Sequence, residues 1–407
     1  MTQNDPTLHP RQTVRTGAMG RPSVTALLLL ALVGVSPART QQPSPTVTVS
    51  WGIDTTDADS RAIVALVRAY LAKPDSSART RGLWSAATEF DRRVGDLTIA
   101  MGTYQGFPST IVGITSHGPG NSVYTVKLLH AEADSTRTRI SPLALQRLYA
   151  VREPGARFGF KLAGTLPRLT SHWERRSKGR MTFWYAPGQR SNNDRISRST
   201  RFVDSVAKLF GVEAPRHLDV YVTADIDEAE RALGLDFFPR AGPGRGGAAL
   251  PFNIVLAGDP ALGEAYLHEF VHAVLGAAFP SNNGLFNEGV ATWLGGSQGR
   301  TTRQLYAQLR QYQELNPALT IADLLRGGSH DVDARAWTDA HRATGALVAE
   351  TIYRKEGIRG LRAFALLERD PDTLVASLPA LLGLAASDPA ALDRWWRNEA
   401  RRVSQSH

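Results

Sequence analysis

The sequence predicts an α+β chain: a small N-terminal module of one helix plus a sheet, then a domain with a short sheet and a mostly helical C-terminal half. Three observations carry this. Apolar residues recur at helical spacing over 57–72 and give way to strand-like runs. Strand and helix signals then alternate over 181–256. From Asp259 onward nearly every segment reads as helix. At 407 residues, 42% hydrophobic and 21% charged, the chain is long enough for two domains with sizeable cores.

Residues 1–38 read as a secretory signal peptide. Arg11, Arg15 and Arg21 precede an apolar run at 24–35 (VTALLLLALVGV), and Ser36-Pro37-Ala38 follows. The run is too short to span a bilayer comfortably. Met19 offers a second start that would give a signal of more usual length. The expectation is a secreted or periplasmic, cell-envelope protein with no stable membrane span after signal cleavage, the alternative being an uncleaved N-terminal anchor.

Residues 39–50 (RTQQPSPTVTVS) read as a linker. The α+β module is expected over 51–175, with its helix at 57–72, strand-like runs at 110–115, 123–129 and 157–162, and a turn cluster at 117–121. This one-helix-then-strands order is similar to the NTF2-like cone. His117, His130 and His172 lack ligand-like spacing and read as structural or exposed. The second domain is expected over 181–403. It opens with a strand at 181–185, a helix at 195–210, a strand at 218–223 and a short helix at 226–233. The Gly-rich stretch at 242–250 runs into a strand rather than a helix and lacks the Lys-Ser/Thr of a phosphate loop, so it reads as a mobile loop.

Net charge is +9, and the basic residues are scattered apart from one cluster at 175–180. No aromatic-interleaved basic motif is present, so nucleic acid is not expected as a partner. A basic enzyme acting on acidic cell-wall or surface polymers is a further reading. The sequence leaves the oligomeric state open. No cysteine occurs, so a metal site must be built from His and carboxylates.

One segment has that composition. His268-Glu269-Phe270-Val271-His272 places two imidazoles four residues apart on a predicted helix starting at Asp259-Pro260. Four steps of about 100° leave them some 40° apart, one turn above the other, where they can share a zinc ion. Glu269 sits beside them, placed to act as a general base. With 10 His in 407 residues, such a pattern is a roughly one-in-a-hundred accident. A third ligand is therefore needed. Glu288 follows His272 after a breaker-rich turn at 280–284, at the start of another predicted helix over 286–294.

His268-Glu269-x-x-His272 followed by Asn287-Glu288-x-x-Ala291 resembles the gluzincin metallopeptidases, the clan of thermolysin and the aminopeptidase-N-like enzymes. The resemblance implies that the second domain is gluzincin-like and that His268, His272 and Glu288 hold Zn²⁺. It also implies that Glu269 is the catalytic base, that 246–256 includes an edge strand for an extended peptide substrate, and that the reaction is peptide hydrolysis. Gly345-Ala-Leu-Val348 is similar to the helix that follows the active site in that clan.

The departures are informative. Residues 237–258 contain no Asp or Glu, whereas aminopeptidases use an acidic residue there to hold a free amine, so endopeptidase action is expected. The clan's oxyanion-stabilising Tyr is missing before Gly345. His341 or Arg342 is left as the electrophile, the alternative being that both only decorate a helix. Thr292 stands where thermolysin has an Asp. From another class, the alternative function is a catalytically weak or inactive gluzincin-fold binding or scaffold protein of the cell envelope.

Overall fold

Helix α1 (Ala58–Leu71) starts where Asp57 caps it, its carboxylate accepting the Ser60 N–H at 2.7 Å. Its buried residues Ile63, Leu66, Val67 and Tyr70 share a core with Ile111, Val126, Leu128, Leu148 and Leu162 of the first sheet. The computed structural model describes residues 47–72, 81–85, 109–117, 119–133, 139–237, 244, 246–250, 253–327, 334–385, 388 and 390–405. The signal-peptide reading at 1–38, and the linker up to residue 46, lie outside the described residues.

The chain is α+β. Its first sheet runs β1 (Val47–Val49), β2 (Ser109–His117), β3 (Val123–Ala133), β4 (Ile140–Arg152), β5 (Phe160–Ala163) in spatial order. Residues 47–49, read as the end of a linker, instead pair in parallel with β2: Val-Thr-Val is β-branched throughout and suits a strand. Strand β4 has no counterpart among the sequence expectations. Its inward positions include Ala144, Gln146 and Ala150, small or polar residues that blur the apolar alternation.

The second sheet has the order β10-β11-β8-β7-β6. Strands β7 (Met181–Tyr185), β8 (Leu218–Val222) and β11 (Ile254–Gly258) are parallel, while β6 (Glu174–Lys178) and β10 (Gly246–Leu250) are antiparallel edges. Strand β11 reads as a continuous apolar run because both its faces are covered. Edge β6 is exposed along its length and carries Glu174, Arg175, Arg176 and Lys178, charges that discourage pairing with another chain. After α2 (Leu166–Thr170), the helix α3 (Asn193–Phe210) links β7 to β8, and α4 (Ile226–Leu233) follows β8. Strand β9 (Leu235–Phe237) then crosses back to pair with β4, where Asp236 forms salt bridges with Arg147 and Lys127. The chain that builds the second sheet thus supplies β9 as a sixth strand of the first.

The helical half comprises α5 (Leu267–Ala278), α6 (Gly284–Gly295), α7 (Thr302–Leu315), α8 (Ile321–Arg326), α9 (Ala334–Ala365), α10 (Pro371–Leu382) and α11 (Ala391–Gln405). Phe270, Val274, Phe286, Val290, Leu347, Ile352 and Trp396 belong to one core with the inner face of the second sheet. Trp396 is fully buried, and its indole N–H donates to Thr344 Oγ1 at 3.0 Å. Helix α5 starts later than the Asp259-Pro260 signal predicts. Asp259 caps only a turn, Gly263 takes φ +50°, and Tyr266 leaves helical geometry before the chain enters α5. Among the described residues, no helix is long and apolar enough to cross a membrane.

Candidate metal centre

The site lies where α5, α6, α9 and edge β10 converge. Helix α6 is started by Asn283, buried, whose Oδ1 accepts the Phe286 N–H at 2.8 Å while its Nδ2 donates to Phe364 O at 2.7 Å. Two glycines let the helices approach closely. A Cβ on Gly295 would lie 2.5 Å from His268 N, and one on Gly289 would lie 2.4 Å from the Gly345 carbonyl carbon. Such contacts are tolerated only without a side chain. The first seats α6 against the start of α5. The second seats α6 against α9, bringing Glu288 (next to Gly289) alongside Arg342 (one turn before Gly345).

His268, His272 and Glu288 come together, all buried. His268 Nδ1 lies 2.8 Å from the Gly296 carbonyl, and His272 Nδ1 lies 3.2 Å from Asn287 Oδ1. Each acceptor calls for a proton on Nδ1, which leaves the Nε2 lone pairs bare. Those two Nε2 atoms face one another at 3.1 Å. Glu288 Oε2 is 3.4 Å from His268 Nε2, and Oε1 is 3.5 Å from His272 Nε2. Glu288 Oε1 is buried without a hydrogen-bond partner.

Lone pairs and a carboxylate oxygen packed this closely repel one another unless a cation lies among them. Ligand atoms about 2.0–2.1 Å from one zinc at the tetrahedral angle sit about 3.3 Å apart. The two Nε2 atoms are 3.1 Å apart and each has one Glu288 oxygen near that edge length, Oε2 at 3.4 Å from His268 and Oε1 at 3.5 Å from His272. Donor set and geometry both fit zinc.

Burial alone would raise the Glu288 carboxyl, but Arg342 and the two imidazoles hold it well below the usual range. Arg342 Nε donates to Glu288 Oε2 at 2.8 Å and its Nη1 to Ser297 Oγ at 3.2 Å. Burial pushes His272 down, keeping it neutral. Glu269 is buried in the first turn of α5, and its carboxyl is raised by that burial. Its Oε2 accepts the Ala249 N–H of β10 at 2.8 Å, so the edge strand is tied to the general-base position. Tyr266 is buried beside Gly247 of that strand, and burial and Glu269 both raise its hydroxyl.

His341 is stacked on Trp337 with ring centroids 5.5 Å apart, and burial pushes it down to about 4. Of the two oxyanion candidates, Arg342 is the one bonded to a ligand residue. Its pairing with Glu288 is not legible in the sequence: the two lie 54 positions apart, and no local spacing sets the rotation of α9. The Gly289–Gly345 crossing is the signal that would have found it. Tyr306 donates to Glu350 Oε2 at 2.6 Å and is committed there. His130 donates or accepts at both nitrogens, with Ser109 Oγ at 3.0 Å and Gln146 Oε1 at 3.1 Å, and is structural.

No family model and no curated protein matches the chain. Among solved structures it is similar to an M1 zinc metallopeptidase from Deinococcus radiodurans, determined as a mutant bound to a Tyr-Ser-Ala substrate, at 14% identity and a TM-score of 0.34. The match covers 74% of this chain and 64% of that one, so the chain spans less than two thirds of that protein's length. At this level the likeness carries no chemistry across.

Proposed function

We propose that the chain is an exported zinc-dependent peptidase, acting as an endopeptidase rather than an aminopeptidase. One observation supports the zinc reading above the rest. Glu288 Oε1 is buried without a hydrogen bond, beside two imidazoles whose Nδ1 atoms are already engaged by oxygen acceptors. His268, His272 and Glu288 would hold the ion, which when bound supplies a Lewis acid for a substrate carbonyl and lowers the pKa of water.

The other steps belong to the chain. Glu269 keeps Oε2 on the Ala249 N–H, and its Oε1 takes a proton from the attacking water and returns it to the leaving amine. Burial makes Glu269 a stronger base than a surface glutamate. Strand β10 ends the sheet, and its outer edge offers main-chain groups to an extended peptide. Gly246–Leu250 carries no acidic side chain to grip a free amine, which supports internal cleavage. His341, kept neutral, is the proposed oxyanion donor. The signal-like residues 1–38 support export to the cell envelope or beyond.

A second reading, an envelope protein of the same fold with weak or lost catalysis, draws on the segment before Gly345, which carries His341 and Arg342 but no Tyr to stabilise an oxyanion. A peptide-library cleavage profile separates the two. Zinc-loaded wild type should cut internal bonds, and Glu269→Gln should keep zinc while losing cleavage. A library left uncut by the zinc-loaded wild type would favour the second reading.

A further inference from the structure

We propose that Arg342 is a positioning residue: it engages Glu288 Oε2 in a charged hydrogen bond, leaves Oε1 as the carboxylate oxygen without a hydrogen bond, and thereby weakens zinc binding in exchange for a stronger Lewis acid. The proposal rests on the zinc reading above.

The geometry is specific. Arg342 reaches Glu288 Oε2 through Nε at 2.8 Å, and its Nη1 is anchored on Ser297 Oγ at 3.2 Å. The side chains are 16% and 8% exposed, so water screens the pair little. The Gly289–Gly345 crossing prevents α9 from drawing away without opening a gap, so the guanidinium is held against the carboxylate. No residue of α6 substitutes for it. Thr292, one turn beyond Glu288, has a buried hydroxyl with no hydrogen-bond partner.

Two consequences follow from charge. A carboxylate engaged by a guanidinium gives less electron density to a metal than a free one, and cannot turn both oxygens toward it. A fixed positive charge beside the centre also repels a dication. Both lower affinity, and both leave the bound ion more electron-poor. In the metal-free chain, the same arginine balances the buried Glu288 charge. Removing it leaves that charge unpaired until zinc arrives. A merely structural arginine would behave differently: its loss would loosen the centre and weaken zinc binding together with activity.

The test is zinc competition against a chromophoric chelator, with peptide hydrolysis measured on the same zinc-loaded mature chain. Arg342→Gln is expected to bind zinc about tenfold tighter than wild type, with kcat at least about tenfold lower and KM within about twofold. Its metal-free form should unfold at a lower temperature, and zinc should raise that temperature by more than it does in wild type. Arg342→Lys keeps the charge but loses the fork. Its affinity should lie between the two, about threefold tighter than wild type, and it decides the matter if Arg342→Gln does not fold. Equal or weaker zinc binding by these variants overturns the proposal while leaving the zinc reading intact. A wild type that binds no zinc overturns both.

Discussion

Two buried histidine sites, one in the first sheet and one on α5, show what separates structural polarity from a reactive centre. In the first sheet, His130 has Ser109 on one ring nitrogen and Gln146 on the other. On α5, His268 and His272 each have one nitrogen engaged and the other turned on its neighbour, next to a glutamate oxygen with no hydrogen bond. The first cluster contains no net charge and is closed. The second places Glu288, Arg342 and Glu269 in a buried space, a costly arrangement that polar groups serving only stability do not need. Burial of a histidine is therefore uninformative by itself. The pattern of its satisfied and unsatisfied nitrogens distinguishes the two.

The largest expected break in this contrast comes from Glu288→Gln. It strips a ligand and leaves Arg342 buried without its carboxylate, so chemical denaturation should show a loss of about 3–5 kcal/mol. Zinc affinity should fall by about a hundredfold or more. Next is Gly289→Ala, whose Cβ would meet the Gly345 backbone at 2.4 Å. Separating α6 from α9 should cost about 1–3 kcal/mol, and zinc binding should weaken with it because Glu288 moves with the helix. A smaller effect is expected for His130→Leu, which leaves Ser109 and Gln146 without their shared partner. Its cost should be about 1–3 kcal/mol of stability, with zinc affinity and hydrolysis unchanged.

Acid should then sharpen the contrast by acting on each region in its own window. Burial lowers His130 from 6.5, so below that pH the unfolded chain takes up a proton that the folded chain refuses. Its contribution is complete above about pH 6.5 and declines as pH falls. In the helical half, Arg402 and Arg354 hold the Glu399 carboxyl at about 2 against an ordinary 4.5. That contribution is complete above about pH 4.5 and is lost as pH falls toward 2. Hydrogen exchange resolved along the chain should therefore show the first sheet, together with the part of α9 around buried His341, which is held at about 4, loosening at higher pH than α11. Simultaneous loosening of both would count against the assignment.

Much of the centre was legible in residue order because its ligands are local. His268 and His272 share one helix, and Glu288 follows on the next, so period and a single turn suffice to bring them together. What escaped notice depends on longer range. Arg342 reaches Glu288 only because Gly289 and Gly345 let two helices touch, a fact carried by no window around either residue. Strand β4 escaped because Ala144, Gln146 and Ala150 fill inward positions usually given to large apolar residues. The start of α5 was read too early, since a cap and a Pro announce a turn as readily as a helix, and Gly263 and Tyr266 interrupt the geometry before Leu267.

The most direct test is zinc stoichiometry measured side by side on wild type, His272→Ala and His130→Gln, each purified without chelator. About one zinc per chain is predicted for wild type and for His130→Gln, and essentially none for His272→Ala. The same zinc content in all three proteins, or none in wild type, would contradict the account.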